Sequence, residues 1–318
     1  MMKHMRMKKT ALTAALLLLV FAFAAAKEKY EEKFEKTMSL PKDGKVHISN
    51  ISGDITIATW GQDQVKIDAL KVSKADTATK AKENAAKVTI EAMMEGNVLR
   101  IETKYPKSEK MWKGESLNVS VAYNLTIPAG AAVKAKNISG DVTAENLGGA
   151  ADLGAISGNV KLKKAAKGAD CNTVSGDLDV LDISGDVFLK SVSGTITASM
   201  IKGSIQAESV SGDLTLTEVS EAGTVRAKAL SGGVVYRGSI NKAGSYNLKS
   251  HSGSIDMSIP ADSAFDFEAE TFSGGITTDF EIKVSGKISP KELMGVVNGG
   301  GATVKLSSFS GDIRLKKQ

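Results

Sequence analysis

The chain has 318 residues, a formal net charge of +5, one cysteine and three histidines. A single cysteine excludes an intramolecular disulfide, so a hydrophobic core must hold the one or two domains that this length predicts. Glycine is abundant (31), proline is scarce (5) and aromatic residues make up 5%, which favours short strands and tight turns over a helical bundle.

Residues 1–26 predict a cleaved secretory signal. A basic start (MMKHMRMKKT) precedes an apolar run (ALTAALLLLVFAF) and small residues (AFAAAK). The run is short for a membrane span, although an uncleaved anchor is the alternative. Cleavage would remove four basic residues and lower the net charge to about +1, which weakens the case for a nucleic-acid partner. We therefore expect an exported protein, periplasmic, cell-surface or secreted, without a stable transmembrane span after cleavage.

Residues 27–137 predict an N-terminal β region that caps a repeat domain. An early Ser-Gly corner occurs at Ser52 and Gly53. The alanine-rich, charged residues 75–87 predict a short helix or lid, and a hairpin turn is expected at Gly96-Asn97.

Three aromatic residues in this region are candidates for partner binding: Trp60, Tyr105 and Trp112. Tryptophan is enriched in binding hot spots. The alternative is that Trp60 and Trp112 plug the hydrophobic end of the repeat domain.

A nine-residue repeat begins at residue 138. Its first apolar column is Ile138, Leu147, Ile156, Ala165, Val174, Ile183, Val192, Ile201, Val210 and Val219. Two further apolar columns follow, four and six residues later in each unit, and Cys171 belongs to the last. We expect all three columns to face inward as ladders, with Cys171 as a buried core residue and with threonine, lysine, aspartate and serine ladders facing water.

Serine precedes glycine at every second unit, so the repeat is expected to be eighteen residues with two strands per coil. The predicted structural corners are Ser52, Gly53, Ser139, Gly140, Ser157, Gly158, Ser175, Gly176, Ser193, Gly194, Ser211 and Gly212. Later corners lengthen the coil to 20 or 21 residues. These periods predict an all-β fold, a parallel β-helix or β-solenoid with about 18–21 residues per coil over residues 138–318, with a C-terminal closing coil.

Aspartate follows the corner glycine in six units, which raises calcium as an alternative. Nonapeptide solenoids can bind Ca²⁺ in such turns, but a calcium site needs six to eight oxygen ligands. Asp and Asn also favour tight turns because their side chains bond nearby amides. We favour the turn interpretation and expect no metal and no cofactor.

The sequence resembles the bacterial putative-adhesin family of β-strand-repeat (SGD-repeat) proteins, a domain-of-unknown-function family. The matching motifs are NISGDITIATWGQDQV, the serial VSGDL and ISGDV corners, SGSIDMSIPADSAFDFEAETFSGGI and GGGATVKLSSFSGDIRL. The resemblance covers nearly the whole chain after the signal. It implies a β-helix-like fold outside the cytoplasm and no catalytic residues.

We therefore expect a non-catalytic adhesin-like binding or structural protein of the bacterial envelope. Its partner would be an envelope protein or a glycan, and its solenoid ends could also self-associate. Two alternatives remain: a regulatory partner in an envelope-stress pathway, and a polysaccharide lyase or hydrolase on a β-helix. The enzyme alternative lacks clustered acids or bases, since His47 and His251 are far apart in sequence.

Overall fold

The computed structural model describes residues 27–106, 117–285 and 289–318. The predicted signal, residues 1–26, lies outside the described residues. The strands of the first part are β1 (Glu28–Ser39), β2 (Lys45–Ser52), β3 (Ile55–Trp60), β4 (Gln64–Ala75), β5 (Thr89–Glu95), β6 (Val98–Lys104), β7 (Val119–Pro128) and β8 (Ala132–Ser139), and the helix α1 (Ala78–Ala86) joins β4 to β5.

The regular coils follow. Their strands are β9 (Val142–Leu147), β10 (Ala151–Ser157), β11 (Val160–Ala165), β12 (Ala169–Ser175), β13 (Leu178–Ser184), β14 (Val187–Ser193), β15 (Ile196–Lys202), β16 (Ile205–Ser211), β17 (Leu214–Val219), β18 (Thr224–Ser231) and β19 (Val234–Gly238). The last strands are β20 (Ser245–Ser252), β21 (Ile255–Ile259), β22 (Phe265–Ser273), β23 (Ile276–Thr278), β24 (Lys283–Val284), β25 (Glu292–Val297), β26 (Ala302–Ser310) and β27 (Ile313–Lys317).

These strands form two long sheets. Sheet A has 13 strands in the order β1-β4-β7-β3-β9-β11-β13-β15-β17-β19-β21-β27-β23. Sheet B has 14 strands in the order β24-β25-β22-β26-β20-β18-β16-β14-β12-β10-β8-β2-β6-β5. From β8 to β21 the chain alternates between the sheets, and each strand pairs in parallel with the strand one coil away. The predicted β-solenoid is confirmed.

The coil length follows from the pairing register. In β12 and β14, Ala169 lies opposite Val187 and Ser175 lies opposite Ser193, so one coil takes eighteen residues. Ser211 then lies opposite Ser231, and Ser231 opposite Ser252, which gives the longer coils. Like residues meet because stacked coils repeat the same backbone path about 4.8 Å apart.

Glycine is required at the Ser-Gly corner because successive corners touch. Gly140 has φ +128°, and a Cβ built there would lie 2.6 Å from the carbonyl oxygen of Gly53 in the neighbouring coil. Any larger residue would meet both a strained backbone and a clash. The sheets therefore turn sharply at this edge.

The first apolar column does not face inward throughout, and this corrects the sequence-based expectation. Its members on sheet A are buried: Leu147, Ala165, Ile183, Ile201 and Val219. Its members on sheet B are exposed: Ile138, Ile156, Val174, Val192 and Val210. The nine-residue spacing is the same for both sets, so the difference arises from the backbone.

A left-handed residue separates the two sets. Asn146, Lys164, Asp182, Met200 and Glu218 have φ between 53° and 60°, and each immediately precedes a buried member of the column. This residue interrupts the strand alternation, so the next side chain points inward. The strands of sheet B have no such residue at that point, and their alternation continues until the residue before the corner serine points outward.

The N-terminal part belongs to the same two sheets. β2 pairs in parallel with β8, and β3 pairs in parallel with β9, so they form a coil of the solenoid. The predicted helix is confirmed at Ala78–Ala86, where Thr77 accepts a hydrogen bond from the Lys80 amide. The predicted hairpin is also confirmed, since β5 and β6 are antiparallel around Gly96 and Asn97.

The last coil of the sequence is not the last coil of the stack. β26 lies between β20 and β22, and β27 lies between β21 and β23. The antiparallel strands β25 and β24 follow at the end of sheet B. This insertion brings residues 251, 309 and 272 onto adjacent strands.

One finding bears on the membrane. Within the described ranges, no helix has the length and apolar character needed to cross a bilayer.

Candidate functional site

The candidate site is a continuous row of exposed apolar and aromatic side chains on sheet B, here called the apolar ladder. Each member precedes a corner serine, and the members lie on ten adjacent strands. In order along the sheet they are Ile51, Ile138, Ile156, Val174, Val192, Val210, Leu230, His251, Phe309 and Phe272. Exposed fractions of the apolar members run from 37% at Ile51 to 72% at Phe272. With strands about 4.8 Å apart, the ladder is about 43 Å long.

The residues just before the ladder reverse the usual pattern of a half-buried strand. Thr173 is buried while Val174 is exposed, and Ser191 is buried while Val192 is exposed. The buried hydroxyl groups donate hydrogen bonds to backbone carbonyls. Thr173 donates to the Gly158 carbonyl at 2.9 Å, and Ser250 donates to the Gly232 carbonyl at 2.8 Å. The chain therefore places polar residues inside and apolar residues outside. Core packing does not account for the exposed apolar row.

One end of the ladder is aromatic. The ring of Phe309 stacks on His251 and on Phe272, with centroids 4.8 Å apart in both pairs and interplanar angles of 13° and 5°. The rings border an open groove of about 690 Å³. Charged side chains that line it are Lys228, Lys249, Glu270, Lys291 and Glu292.

The other end of the ladder borders a smaller groove. It has a volume of about 330 Å³ and includes Ile51, Ile138 and Ile156. Gly154 lies in its wall, where a Cβ would come within 2.9 Å of the Lys136 Nζ. The side chains of Lys136 and Asn172 occupy the space that a side chain at residue 154 would need.

Two polar rows flank the ladder. The corner serines lie on one side, and most of them are exposed. On the other side, two positions earlier in each strand, are a buried glycine, Gly154, and nine polar or charged residues: Ser49, Lys136, Asn172, Lys190, Glu208, Lys228, Lys249, Ser307 and Glu270. A ligand on the apolar ladder would thus meet hydrogen-bonding groups along both margins.

The corner aspartates bond to backbone amides. Asp177 accepts a hydrogen bond from the Thr195 amide at 2.8 Å, and Asp213 accepts one from the Gly233 amide at 2.7 Å. Each bond joins one coil to the next, so the aspartate side chain links adjacent corners by a hydrogen bond. In the described part of the chain, no group of three or more His, Cys, Asp or Glu side chains is arranged to hold a metal ion.

Two of the predicted partner-binding residues, Trp60 and Tyr105, lie at opposite edges of the coil. Trp60 is partly buried at the far end of β3, and its indole N–H donates to the Gln64 carbonyl at 2.7 Å. Tyr105 follows β6 at the opposite, Ser52 edge of the coil and donates to the Val119 carbonyl at 2.8 Å. Burial raises the pKa of Tyr105 to about 12. Trp112 lies outside the described residues.

Cys171 is fully buried, as expected for a core residue. Burial raises the pKa of its thiol to about 12, so the thiol stays protonated at neutral pH. His47 and His251 lie on β2 and β20, seven strands apart in sheet B, which corresponds to about 34 Å. They cannot act on one substrate atom.

Sequence reasoning missed the apolar ladder and its aromatic end. The periodicity located the column but placed all of it inside. The sequence did contain a signal for the exposed row. Thr173, Ser191 and Ser209 occupy inward positions and are buried, whereas the neighbouring Val174 and Val192 point outward, which is the reverse of an ordinary core strand. No pattern in the sequence indicated the contact between His251, Phe309 and Phe272, because that contact depends on where β26 inserts in sheet B.

Comparisons with solved structures show only distant likeness. A "putative adhesin" from Bacteroides fragilis is 15% identical with a TM-score of 0.37, covering 90% of this chain and 97% of that chain. A "putative lipid binding protein" from Parabacteroides distasonis is 12% identical with a TM-score of 0.34, covering 90% and 96%. A "putative cell adhesion protein" from Clostridium sporogenes is 13% identical with a TM-score of 0.24, covering 90% and 100%. These TM-scores support no argument about this chain.

A search of the curated proteins found no match. The family described as Toastrack DUF4097 matches residues 23–316, which is nearly the whole chain. The expected membership of a domain-of-unknown-function family is thereby confirmed, and the chain belongs to the Toastrack DUF4097 family.

Proposed function

We propose that this protein is an exported, non-catalytic binding protein of the bacterial envelope, and that its apolar ladder holds a linear polysaccharide. One observation carries the proposal: ten adjacent strands expose an apolar or aromatic residue directly beside a residue that faces the interior. Large exposed apolar surfaces in folded proteins mark interaction sites.

The shape of the ladder favours a long, thin ligand. The ladder is one side chain wide and about 43 Å long. A globular protein partner needs a broad patch of about 800 Å² on each side. A polysaccharide chain instead presents a narrow ribbon with apolar C–H faces and hydroxyl edges, which matches an apolar row between two polar rows.

The aromatic end supports the same ligand class. Phe272 is 72% exposed and stands at the groove of about 690 Å³. An exposed ring can pack against the apolar face of a sugar, while Lys249 and Glu270 beside it can bond to hydroxyl groups. The envelope location is supported by the basic, apolar and small-residue pattern of residues 1–26.

The test is co-sedimentation of the purified protein with insoluble envelope polysaccharide, together with binding to a panel of soluble bacterial polysaccharides. The ladder variant carries Val174→Thr, Val192→Thr and Val210→Thr, which keep β-branched side chains but remove the apolar surface. The control variant carries Leu181→Thr and Val235→Thr on the outer face of sheet A. We expect the ladder variant to lose about tenfold in affinity and the control to bind normally.

Two results would contradict this proposal. Equal binding by the ladder variant and the control would remove the ladder from the site. Absence of polysaccharide binding, with crosslinking in cells to one envelope protein, would favour a regulatory role instead.

A further inference from the structure

Strand β1 leaves a long edge of sheet A open. It pairs with β4 along all twelve residues, from Glu28 opposite Ala75 to Ser39 opposite Gln64. Within the described residues, no strand pairs with its other edge. Alternate backbone N–H and C=O groups therefore point away from the sheet. A free edge of this length is a template for another strand.

The side chains of β1 separate onto two faces. Lys29, Glu31, Lys33 and Glu35 lie on the outer face and are exposed. Tyr30, Phe34 and Met38 lie on the inner face and are half-buried. Phe34 and Met38 pack against the hydrophobic core. The strand thus carries alternating charges outside and an apolar row inside.

We propose that the partner of this edge is a second copy of the chain, which pairs antiparallel through β1 about a two-fold axis at Phe34. The axis is perpendicular to the sheet, so the inner faces of both copies lie on the same side. Sheet A then continues from one copy into the other, and about half of the opposed residues exchange backbone hydrogen bonds. This assembly is independent of the polysaccharide proposal, because the ladder lies on sheet B.

The register places opposite charges together. On the outer face, Lys33 lies opposite the partner's Glu35, and the symmetry repeats this pair. On the inner face, Glu32 lies opposite the partner's Lys36, also twice. No like charges face each other across the strands. Opposite-charge pairs directly across two strands are stabilising, and like-charge pairs are destabilising.

The apolar residues also meet in this register. Phe34 lies opposite the partner's Phe34, and Tyr30 lies opposite the partner's Met38. The half-buried apolar row of each copy is therefore continued by that of its partner. Burying these side chains adds a hydrophobic contribution that the backbone bonds of an edge alone would lack.

Phe34 is the only position between residues 31 and 36 that can occupy the axis without repulsion. Every other residue of that segment is charged and would face its own copy, as two Glu32 carboxylates or two Lys36 ammoniums would. The α1 helices of the two copies do not clash in this arrangement. Each α1 follows Ala75, which pairs with Glu28 at one end of β1. The two copies of α1 would lie at opposite ends of the joined strands.

The test is sedimentation velocity of the full chain over a range of concentrations. We expect a concentration-dependent dimer, because one strand pair buries a modest area. Lys33→Glu alone and Glu35→Lys alone each replace two attractive pairs with two repulsive ones, and each should weaken dimerisation about tenfold. An equimolar mixture of the two variants should restore the dimer, because the glutamate introduced in one variant then faces the lysine introduced in the other.

Glu31→Lys is the matched control, since residue 31 lies opposite the partner's Thr37 and the same charge change should leave dimerisation within about twofold. Thermal unfolding of each variant checks the fold. A wild-type chain that stays monomeric would overturn the proposal. So would single variants that dimerise normally, or a mixture that fails to recover, since an axis at Glu32 would pair Lys33 with Glu31 and give no rescue.

Discussion

The carboxylate of Asp141 accepts a hydrogen bond from the backbone amide of Asn159 at 2.8 Å, and the two residues hold the same corner position in successive coils. The Asn159 side chain in turn accepts from the Asp177 amide at 2.9 Å. A chain of such bonds runs along the corner edge. The side chain of one coil thus satisfies an amide of the next.

The corner bond can be tested at Asp177. Asp177→Ala should lower the free energy of unfolding by about 1 kcal/mol, because the Thr195 amide loses its acceptor. Asp177→Asn should cost less, since an amide oxygen already fills this role at Asn159. Urea denaturation measures both, with Asp179→Ala in strand β13 as the control. Added Ca²⁺ should leave the midpoints unchanged; stabilisation by Ca²⁺ that Asp177→Ala abolishes would instead indicate a metal site.

The corner glycine should be intolerant of any side chain. Gly140→Ala should destabilise the protein by more than about 2 kcal/mol, because the new Cβ would approach the Gly53 carbonyl in a strained backbone. Gly61→Ala is the control, since no atom lies within 4 Å of its Cβ position. Chemical denaturation should show a change within about 1 kcal/mol for the control. Equal effects at both glycines would argue against the close stacking of corners.

Two members of the same sequence column should respond differently to truncation. Ile201→Ala should cost about 2–5 kcal/mol because Ile201 is fully buried. Val192→Ala should cost less than about 1 kcal/mol because Val192 is partly exposed. Thermal and chemical denaturation of both variants compare these costs. Similar losses would mean that both residues belong to the core.

The left-handed residues of sheet A store strain that glycine can relieve. Met200 has φ 57°, and Met200→Gly should stabilise the protein or leave its stability unchanged, with a gain of up to about 1 kcal/mol. Ser199→Gly, one residue earlier in the extended strand, should destabilise it by about 0.5–1 kcal/mol. The difference in denaturation midpoint between these neighbours is the measurement. A marked loss at Met200→Gly would contradict the left-handed conformation.

Alkaline pH should expose a buried tyrosine. Burial raises the pKa of Tyr123 to about 12, although the hydrogen bond between Thr103 and Tyr123 opposes the shift. The Tyr123 hydroxyl ionises near pH 10 in the unfolded chain but only near pH 12 in the folded chain. The free energy of unfolding should thus keep its full value below about pH 10 and should fall as the pH rises towards about 12. Tyr123→Phe should make this fall less steep without abolishing it, because burial also raises the pKa of Tyr105 to about 12. An unchanged slope, measured by denaturation at each pH, would mean that Tyr123 does not contribute to the fall.

The helix, the hairpin and the coil period were predictable because each has a local cause. Alternating apolar residues predict strands, and Ser-Gly corners at fixed spacing predict stacked coils. The insertion of β26 between β20 and β22 was not predictable, because the last coils share one pattern of apolar residues and Ser-Gly corners and several stacking orders satisfy it. The aromatic end of the ladder depends on that order.

The sequence by itself determined the β-solenoid, its eighteen-residue coil and the glycine at each corner, because these follow from periodicity and from the space between stacked backbones. Only the tertiary structure decided which apolar residues face solvent. Ile183 and Val174 belong to the same column and are both β-branched apolar residues, yet the left-handed backbone at Asp182 turns Ile183 inward while unbroken alternation turns Val174 outward. A single backbone torsion per coil, which Asn, Lys, Asp, Met and Glu all adopt here, therefore separates the core from the exposed ladder.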